Sequence, residues 1–258
     1  MDKKVILISI DGMRADGLLA CGNPYLKELE AMASYTYSGA SMFPSVTFPC
    51  HFSAVHSVTP LRHGILTNTY VPEVRPITGL FERIKDFGGI SAMYYGWEPL
   101  RDIARPAALK YATYIDAYMD ESVDTLLTDE ALMRIEKNHP DFVFLYMVDT
   151  DEKGGHDNGW MSEAYLGRIS TAIDNVKRVV EKCAEEYTVI IMSDHGGHGR
   201  SHGTELPEDM VIPFFFIGEK FEKGRVLDGV TLLDIAPTIT DVMGIPKVDE
   251  WEGKSLIQ

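Results

Sequence analysis

Cysteine is scarce in this chain of 258 residues: Cys21, Cys50 and Cys183 are odd in number, far apart and form no CxxC pair. That argues against a disulfide framework and against a thiolate zinc finger. Long apolar runs are missing too; none approaches the roughly 20 residues that a membrane-spanning helix needs. Six apolar or small residues separate Lys4 from Asp11, too few for the apolar core of a signal peptide, so Val5 to Ile10 reads as a strand. These features together predict a reducing, cytoplasmic setting. Basic charge is also short: 24 Lys and Arg face 39 Asp and Glu, for a net charge of -15. Such a balance offers no basic face for wrapping a nucleic-acid polymer or an anionic membrane. A small phosphate substrate stays compatible, because a local metal site can attract it against the global field. Repeats, low-complexity tracts and linkers do not occur, so 1–258 reads as a single domain without a large inserted cap.

What is present alternates between two periodicities. Val5–Ile10, Ile90–Tyr95, Asp141–Val148, Val189–Met192 and Val211–Ile217 are apolar, strand-like runs. Helical spacing marks Pro24–Tyr35, Leu80–Phe87, Asp124–Lys137, Ser162–Glu185 and Leu232–Met243. Thr47 is placed to cap a further helix running to His56, with Pro49 in its first turn. Pro60–Tyr70 and Glu98–Asp116 read as loops. Strands alternating with helices predict an α/β fold with a largely parallel central sheet sandwiched by helices.

Three of the apolar strands end in carboxylates: Asp11, Asp149/Asp151 and Asp194. Ligands of open α/β sheets bind at the carboxyl ends of the strands, so these side chains are expected to gather on one edge. Asp is common after strands simply as a turn residue, but that does not account for His156, His195 and His202 in the same loops. Six oxygen and nitrogen ligands (Asp11, Asp151, His156, Asp194, His195, His202) exceed the three of one catalytic zinc and suit two metals sharing a phosphoryl group. Mixed Asp/His donors without thiolate fit two divalent ions, zinc ahead of manganese. For a nucleophile, Thr47 at a helix N-terminus is the candidate, with an ordinary cap as the bland reading.

The segment Met42-Phe-Pro-Ser-Val-Thr-Phe-Pro-Cys-His51, continued by Pro60-Leu-Arg-His-Gly-Ile65, resembles the F-P-T-x-T-F-P-N-H … P-x-x-H-G-I segment of the type I phosphodiesterase/nucleotide pyrophosphatase family, in the alkaline phosphatase superfamily. Ile10-Asp11-Gly12 and Ser193-Asp194-His195-Gly196 are similar to two further motifs of that family, and the likeness spans nearly the whole chain. The resemblance implies a phosphate-ester hydrolase acting on a small molecule through a phosphothreonine at Thr47. It implies that Asp11, Asp194 and His195 hold the metal beside Thr47, which also binds it, and that Asp151, His156 and His202 hold the other. Asn68 and the Phe48 N–H would donate to a phosphoryl oxygen.

The family's D-x-x-G-H loop is one residue longer here. Glu152 restores the spacing to His156, but the gapless upstream match keeps Asp151 as the ligand and makes Gly155 the inserted residue. His198 is expected in an outer position, His51, His56 and His63 in structural roles, and His139 on the surface. The aromatics at Tyr70, Tyr94-Tyr95-Gly96-Trp97 and Trp160 are candidates for substrate contact or plain packing. A phosphomonoesterase is the alternative on the same scaffold. A phosphomutase with a large inserted domain, a sulfatase and a non-catalytic metal binder fit less well.

Overall fold

The computed structural model describes residues 3–257. Strand β1 (Lys4–Ile10) leads to helices α1 (Ala15–Ala20) and α2 (Tyr25–Met32), then to strand β2 (Ser34–Ala40). Helix α3 (Thr47–His56), the short α4 (Pro60–His63) and α5 (Leu80–Asp86) precede β3 (Ser91–Tyr95) and β4 (Tyr111–Tyr114). Helix α6 (Val123–Asn138) returns to β5 (Phe142–Met147), and α7 (Glu163–Cys183) to β6 (Tyr187–Met192). A turn of helix, α8 (Pro207–Met210), precedes β7 (Val211–Ile217), and α9 (Ile235–Met243) follows.

The seven strands form one sheet in the order β2-β7-β6-β1-β5-β3-β4. Pairing is parallel from β6 through β4, while β7 is antiparallel to both β6 and β2. Among the described residues, then, β7 alone runs against the rest. Strands β5 and β6 are buried along their whole length, and β1 from Val5 onward. Burial on both faces is why they read as unbroken apolar runs rather than alternating ones. Helices α1, α2, α6 and α7 pack together in one group and α3, α5 and α9 in another, so the sheet is covered on both sides. One continuous apolar core runs between the layers. No helix among the described residues is long and apolar enough to cross a membrane.

Five local expectations need correcting, one of them the Pro60–Tyr70 loop, whose first four residues are helix α4. The helix expected over Pro24–Tyr35 stops at Met32, and Ser34–Ala40 is strand β2 instead. Its Tyr35 ring stacks on Phe215 at 5.7 Å and Tyr37 meets the same ring edge-on, so cross-strand aromatic packing overrides the helical spacing. Glu98–Asp116 contains a 3₁₀ helix (Glu98–Ile103) and the edge strand β4, too short and too exposed to leave an apolar signature. Leu232–Met243 divides into a 3₁₀ turn, Leu232–Asp234, and α9. Thr47 does not cap α3. Val46 holds the cap position with extended backbone, and Thr47 is the first helical residue.

The register places the functional loops. Ile10 of β1 lies opposite Met147 of β5, and Ser9 opposite Met192 of β6. Asp11, the residues after Met147 and Ser193-Asp194-His195 therefore leave the sheet at the same edge, as the carboxyl-end rule requires.

Candidate active site

The loops after β1 and β6 are laced together. The Gly12 N–H donates to Asp194 Oδ1 at 3.2 Å and the Met13 N–H to Ser193 Oγ at 2.9 Å. Ser193 Oγ in turn donates to the His195 carbonyl at 2.7 Å. Gly12 has φ of 65°, and a Cβ there would stand 2.6 Å from Asp151 Oδ1. Only glycine admits so close an approach of the β1 loop to the loop after β5.

Two ligand-bearing groups result. Asp11, Asp194 and His195 offer donor atoms within 4.8 Å of one another, and so do Asp151, His195 and His202. His195 Nε2 lies 3.3 Å from both Asp11 Oδ1 and Asp194 Oδ2, so this imidazole stands between the two groups. His156 Nε2 is 3.3 Å from Asp151 Oδ2, and His202 Nε2 is 4.0 Å from Asp151 Oδ1. In all three histidines Nδ1 faces a backbone carbonyl: Gly196 at 2.7 Å from His195, Arg200 at 3.0 Å from His156, Ser45 at 2.8 Å from His202. A carbonyl only accepts, so Nδ1 must carry the proton. Each ring then presents its Nε2 toward the carboxylates, the outer-partner arrangement that fixes ligating histidines.

Asp151 and His156 meet because of an irregularity. Residues Thr150–His156 form a π-helical turn. Such a turn closes over five residues rather than four, so the extra residue in the Asp151–His156 interval is absorbed with both side chains still on one face. Asp151 is therefore the carboxylate in the cluster. Glu152 lies beside Tyr118 instead, and Asp149 pairs with Lys153 at 2.8 Å.

Electrostatics mark the cluster as incomplete. Asp11 Oδ1, Asp151 Oδ1 and Asp194 Oδ2 are buried without a hydrogen-bond partner among the described residues. Burial first, then Asp194 and Asp151 nearby, pushes the Asp11 carboxyl well above the usual range, and burial pushes Asp194 up to about 8. Burial also raises Asp151, but the hydrogen bond to His156 and the other imidazoles overcome it and bring this carboxyl below its ordinary value. The hydrogen bond to Asp151 lifts His156 to about 9, whereas burial lowers His195 to about 3. Three buried carboxylates with bare oxygens are costly without cations. The donor set fits divalent ions: carboxylate oxygens and imidazole nitrogens, with no thiolate.

Thr47 Oγ1 sits 3.1 Å from His195 Nε2, at the N-terminus of α3 and buried. The Phe48 N–H, expected to meet a phosphoryl oxygen, donates to Asn68 Oδ1 at 2.9 Å. This bond ties Asn68 to the helix terminus and leaves its amide NH2 as the donor. The Phe48 ring is fully buried beside Phe52, so it lines the core rather than a substrate. Tyr94 and Trp160 are buried too, and Tyr95 packs on Tyr114 at 5.3 Å. Tyr70 is the aromatic left half-exposed near the site, edge-on to Phe48 at 6.4 Å. His198 pairs with Asp209 at 2.8 Å outside the cluster, and His56 and His63 are buried supports of α3. His51 is buried as well, its Nδ1 facing the Thr47 carbonyl at 2.8 Å and Asp194 Oδ2 at 3.4 Å. His139 lies at the surface beside Glu186.

A sequence model of the type I phosphodiesterase/nucleotide pyrophosphatase family matches residues 5–204. The chain belongs to this family. Ectonucleotide pyrophosphatase/phosphodiesterase family member 1 of Mus musculus is 27% identical over 221 residues, 74% of this chain and 24% of its own length. The 2,3-bisphosphoglycerate-independent phosphoglycerate mutase of Clostridioides difficile (strain 630) is 33% identical over 138 residues, 51% of this chain and 26% of its own. The chain thus spans about a quarter of these curated relatives. Among solved structures, murine ectonucleotide pyrophosphatase/phosphodiesterase 5, an inactive form in complex with AMP, superposes with a TM-score of 0.80 at 15% identity. That match covers 95% of this chain and 96% of that one. The fold of this family member is accordingly alkaline phosphatase-like.

Sequence reasoning missed the groups that hold the ligands in place. The Tyr146 hydroxyl donates to Asp11 Oδ2, and Ser41 Oγ to the Asp194 carbonyl. Tyr146 lies inside a buried strand, where periodicity registers only an apolar position.

Proposed function

We propose that this chain hydrolyses phosphodiester or pyrophosphate bonds of a small molecule such as a nucleotide ester, with Thr47 as the nucleophile. The observation that carries the reading is the gathering of three buried carboxylates with bare oxygens around His195, His202 and His156, with Thr47 Oγ1 3.1 Å from His195 Nε2. Asp11, Asp194 and His195, joined by Thr47 Oγ1, would hold one divalent ion, and Asp151, His156 and His202 the other. Bound zinc, or manganese, would supply Lewis acidity toward a phosphoryl oxygen. Two such ions against three carboxylates leave about one positive charge, which attracts a phosphate ester.

The residues then divide the work. Thr47 Oγ1 gives up its proton to water and forms the new bond to phosphorus as the bond to the leaving oxygen breaks; the leaving oxygen takes up a proton, and water then hydrolyses the phosphothreonine ester. The α3 terminus places Thr47 where helical N–H groups and dipole favour developing negative charge. Asn68 presents its amide NH2, and its hold on Phe48 sets the direction of that donor. Gly12, Met13 and Ser193 keep the β1 and β6 loops in register, which fixes Asp11 against Asp194.

Neutral donors favour a diester over a monoester. An efficient monoesterase meets the extra charged oxygen with an added cation. Here Arg14 is paired with Asp16 at 2.6 Å and Arg62 with Glu252 at 2.8 Å, which leaves Arg200, whose carbonyl meets His156 Nδ1, as the cation that would have to serve a monoester. The similarity to a phosphoglycerate mutase makes a monoester the alternative. Comparing kcat/KM for p-nitrophenyl phosphate with that for an alkyl or nucleotide p-nitrophenyl diester, metals saturating, separates the two. We expect the diester to be preferred; a clear preference for the monoester overturns this assignment and leaves the fold and Thr47 standing.

A further inference from the structure

We propose that Trp160 is the positioning residue of the Asp151–His156–His202 half of the site, a wedge that holds three ligand-bearing loops at a fixed separation. The inference rests on the two-metal reading above. Trp160 is buried, and its indole N–H donates to the Gly12 carbonyl at 2.9 Å, one residue after Asp11. Its ring stands edge-on to His156 at 5.2 Å and to His202 at 5.9 Å. Its backbone N–H donates to the Gly199 carbonyl at 2.9 Å, in the loop that carries His202. One side chain thus touches the loops after β1, β5 and β6.

Two glycines exist to admit it. A Cβ on Gly155 would lie 2.5 Å from Trp160 Cζ2, and one on Gly197 would lie 2.2 Å from Cε2. Ordinary carbon contact begins about a full ångström further out. Gly155 is the residue inserted between Asp151 and His156, so the π-helical turn and the wedge are one device. The extra residue lets both ligands face inward, and its bare Cα leaves space for the indole behind them. The Tyr165 hydroxyl shares the Gly12 carbonyl at 2.8 Å, and the Tyr165 ring centre lies 6.1 Å from that of the indole, which backs the wedge from the α7 side.

The wedge acts on the ligands rather than on substrate, so metal affinity is the readout. Apo-protein is titrated with zinc against a chromophoric chelator. The two equivalents are assigned by their separate loss in Asp11→Asn and Asp151→Asn. Trp160→Ala is expected to weaken the Asp151-dependent equivalent by about 10- to 100-fold, the usual cost of losing an outer partner of a metal ligand. The Asp11-dependent equivalent stays essentially unchanged. Trp160→Phe, which keeps a ring beside both histidines, restores most of the affinity. Gly155→Ala weakens the same equivalent in the wild-type background and much less in Trp160→Ala, where the obstructing ring is gone. Unaltered binding of both ions by Trp160→Ala, or an equal cost of Gly155→Ala in both backgrounds, overturns the proposal. A wild-type protein that binds fewer than two ions overturns the two-metal reading itself and the wedge with it.

Discussion

Exchange of Asp151 for asparagine separates the two carboxylates that compete for the second metal. Asp151 is buried, with one oxygen 3.3 Å from His156 Nε2 and the other without a hydrogen-bond partner among the described residues. It is the only carboxylate of the Asp151–His156–His202 set. Losing an outer partner alone costs about 10- to 100-fold in metal affinity, so losing this anion is expected to cost more than about 100-fold. Glu152→Gln touches a carboxylate that faces Tyr118 and leaves affinity near wild type. A second readout needs no metal. Asp151 raises His156 from 6.5 to about 9 in the apo-protein, and Asp151→Asn should return it toward 6.5 by NMR titration. Zinc titration of both variants decides the matter. If Glu152→Gln empties the site while Asp151→Asn keeps it, the placement of the π-helical turn is wrong by one residue.

Two further outcomes follow from the same geometry. Purified protein should hold close to two divalent ions per chain, and chelation should abolish turnover until zinc or manganese is restored. Elemental analysis that finds one ion after full repletion contradicts this count. Burial lowers His56 from 6.5 to about 3, so the folded state keeps this ring neutral. Its contribution is present above pH 6.5 and is lost as the unfolded chain gains a proton below that. The stability gap between wild type and His56→Gln should therefore shrink by about 1.4 kcal/mol per pH unit from pH 6.5 downward. Urea unfolding at pH 7 and pH 5 measures it, and a constant gap refutes it.

The parts of the sheet buried on both faces were legible because nothing competes with their pattern. Strands β1, β5 and β6 are apolar throughout, and the carboxylates that end them converge as the parallel register dictates. Strand β2 was hidden because Tyr35 and Tyr37 find their partner, Phe215, about 180 residues later, beyond any local window. Strand β4 is an edge of four residues, half-buried and exposed in turn, too short to outweigh the polar residues around it. The ligand loops declared themselves through composition, since Asp and His crowd together after apolar runs. What positions those ligands did not. In sequence Trp160 reads as a substrate contact or plain packing, Tyr146 as one more apolar strand position, and the π-helical turn as an inserted glycine. In the fold, that glycine is where the backbone makes room for the indole.

Covalent capture at Thr47 tests the central claim most directly. Metal-loaded protein is mixed with a p-nitrophenyl diester, quenched in acid during turnover and digested for mass spectrometry, alongside Thr47→Ala. The account predicts a substrate-derived phosphoryl adduct on Thr47 in the wild type. It predicts no adduct and no turnover in Thr47→Ala, which still binds both ions because Asp11, Asp194 and His195 remain. Near-wild-type turnover by Thr47→Ala, or a phosphoryl group recovered on another residue, would contradict it.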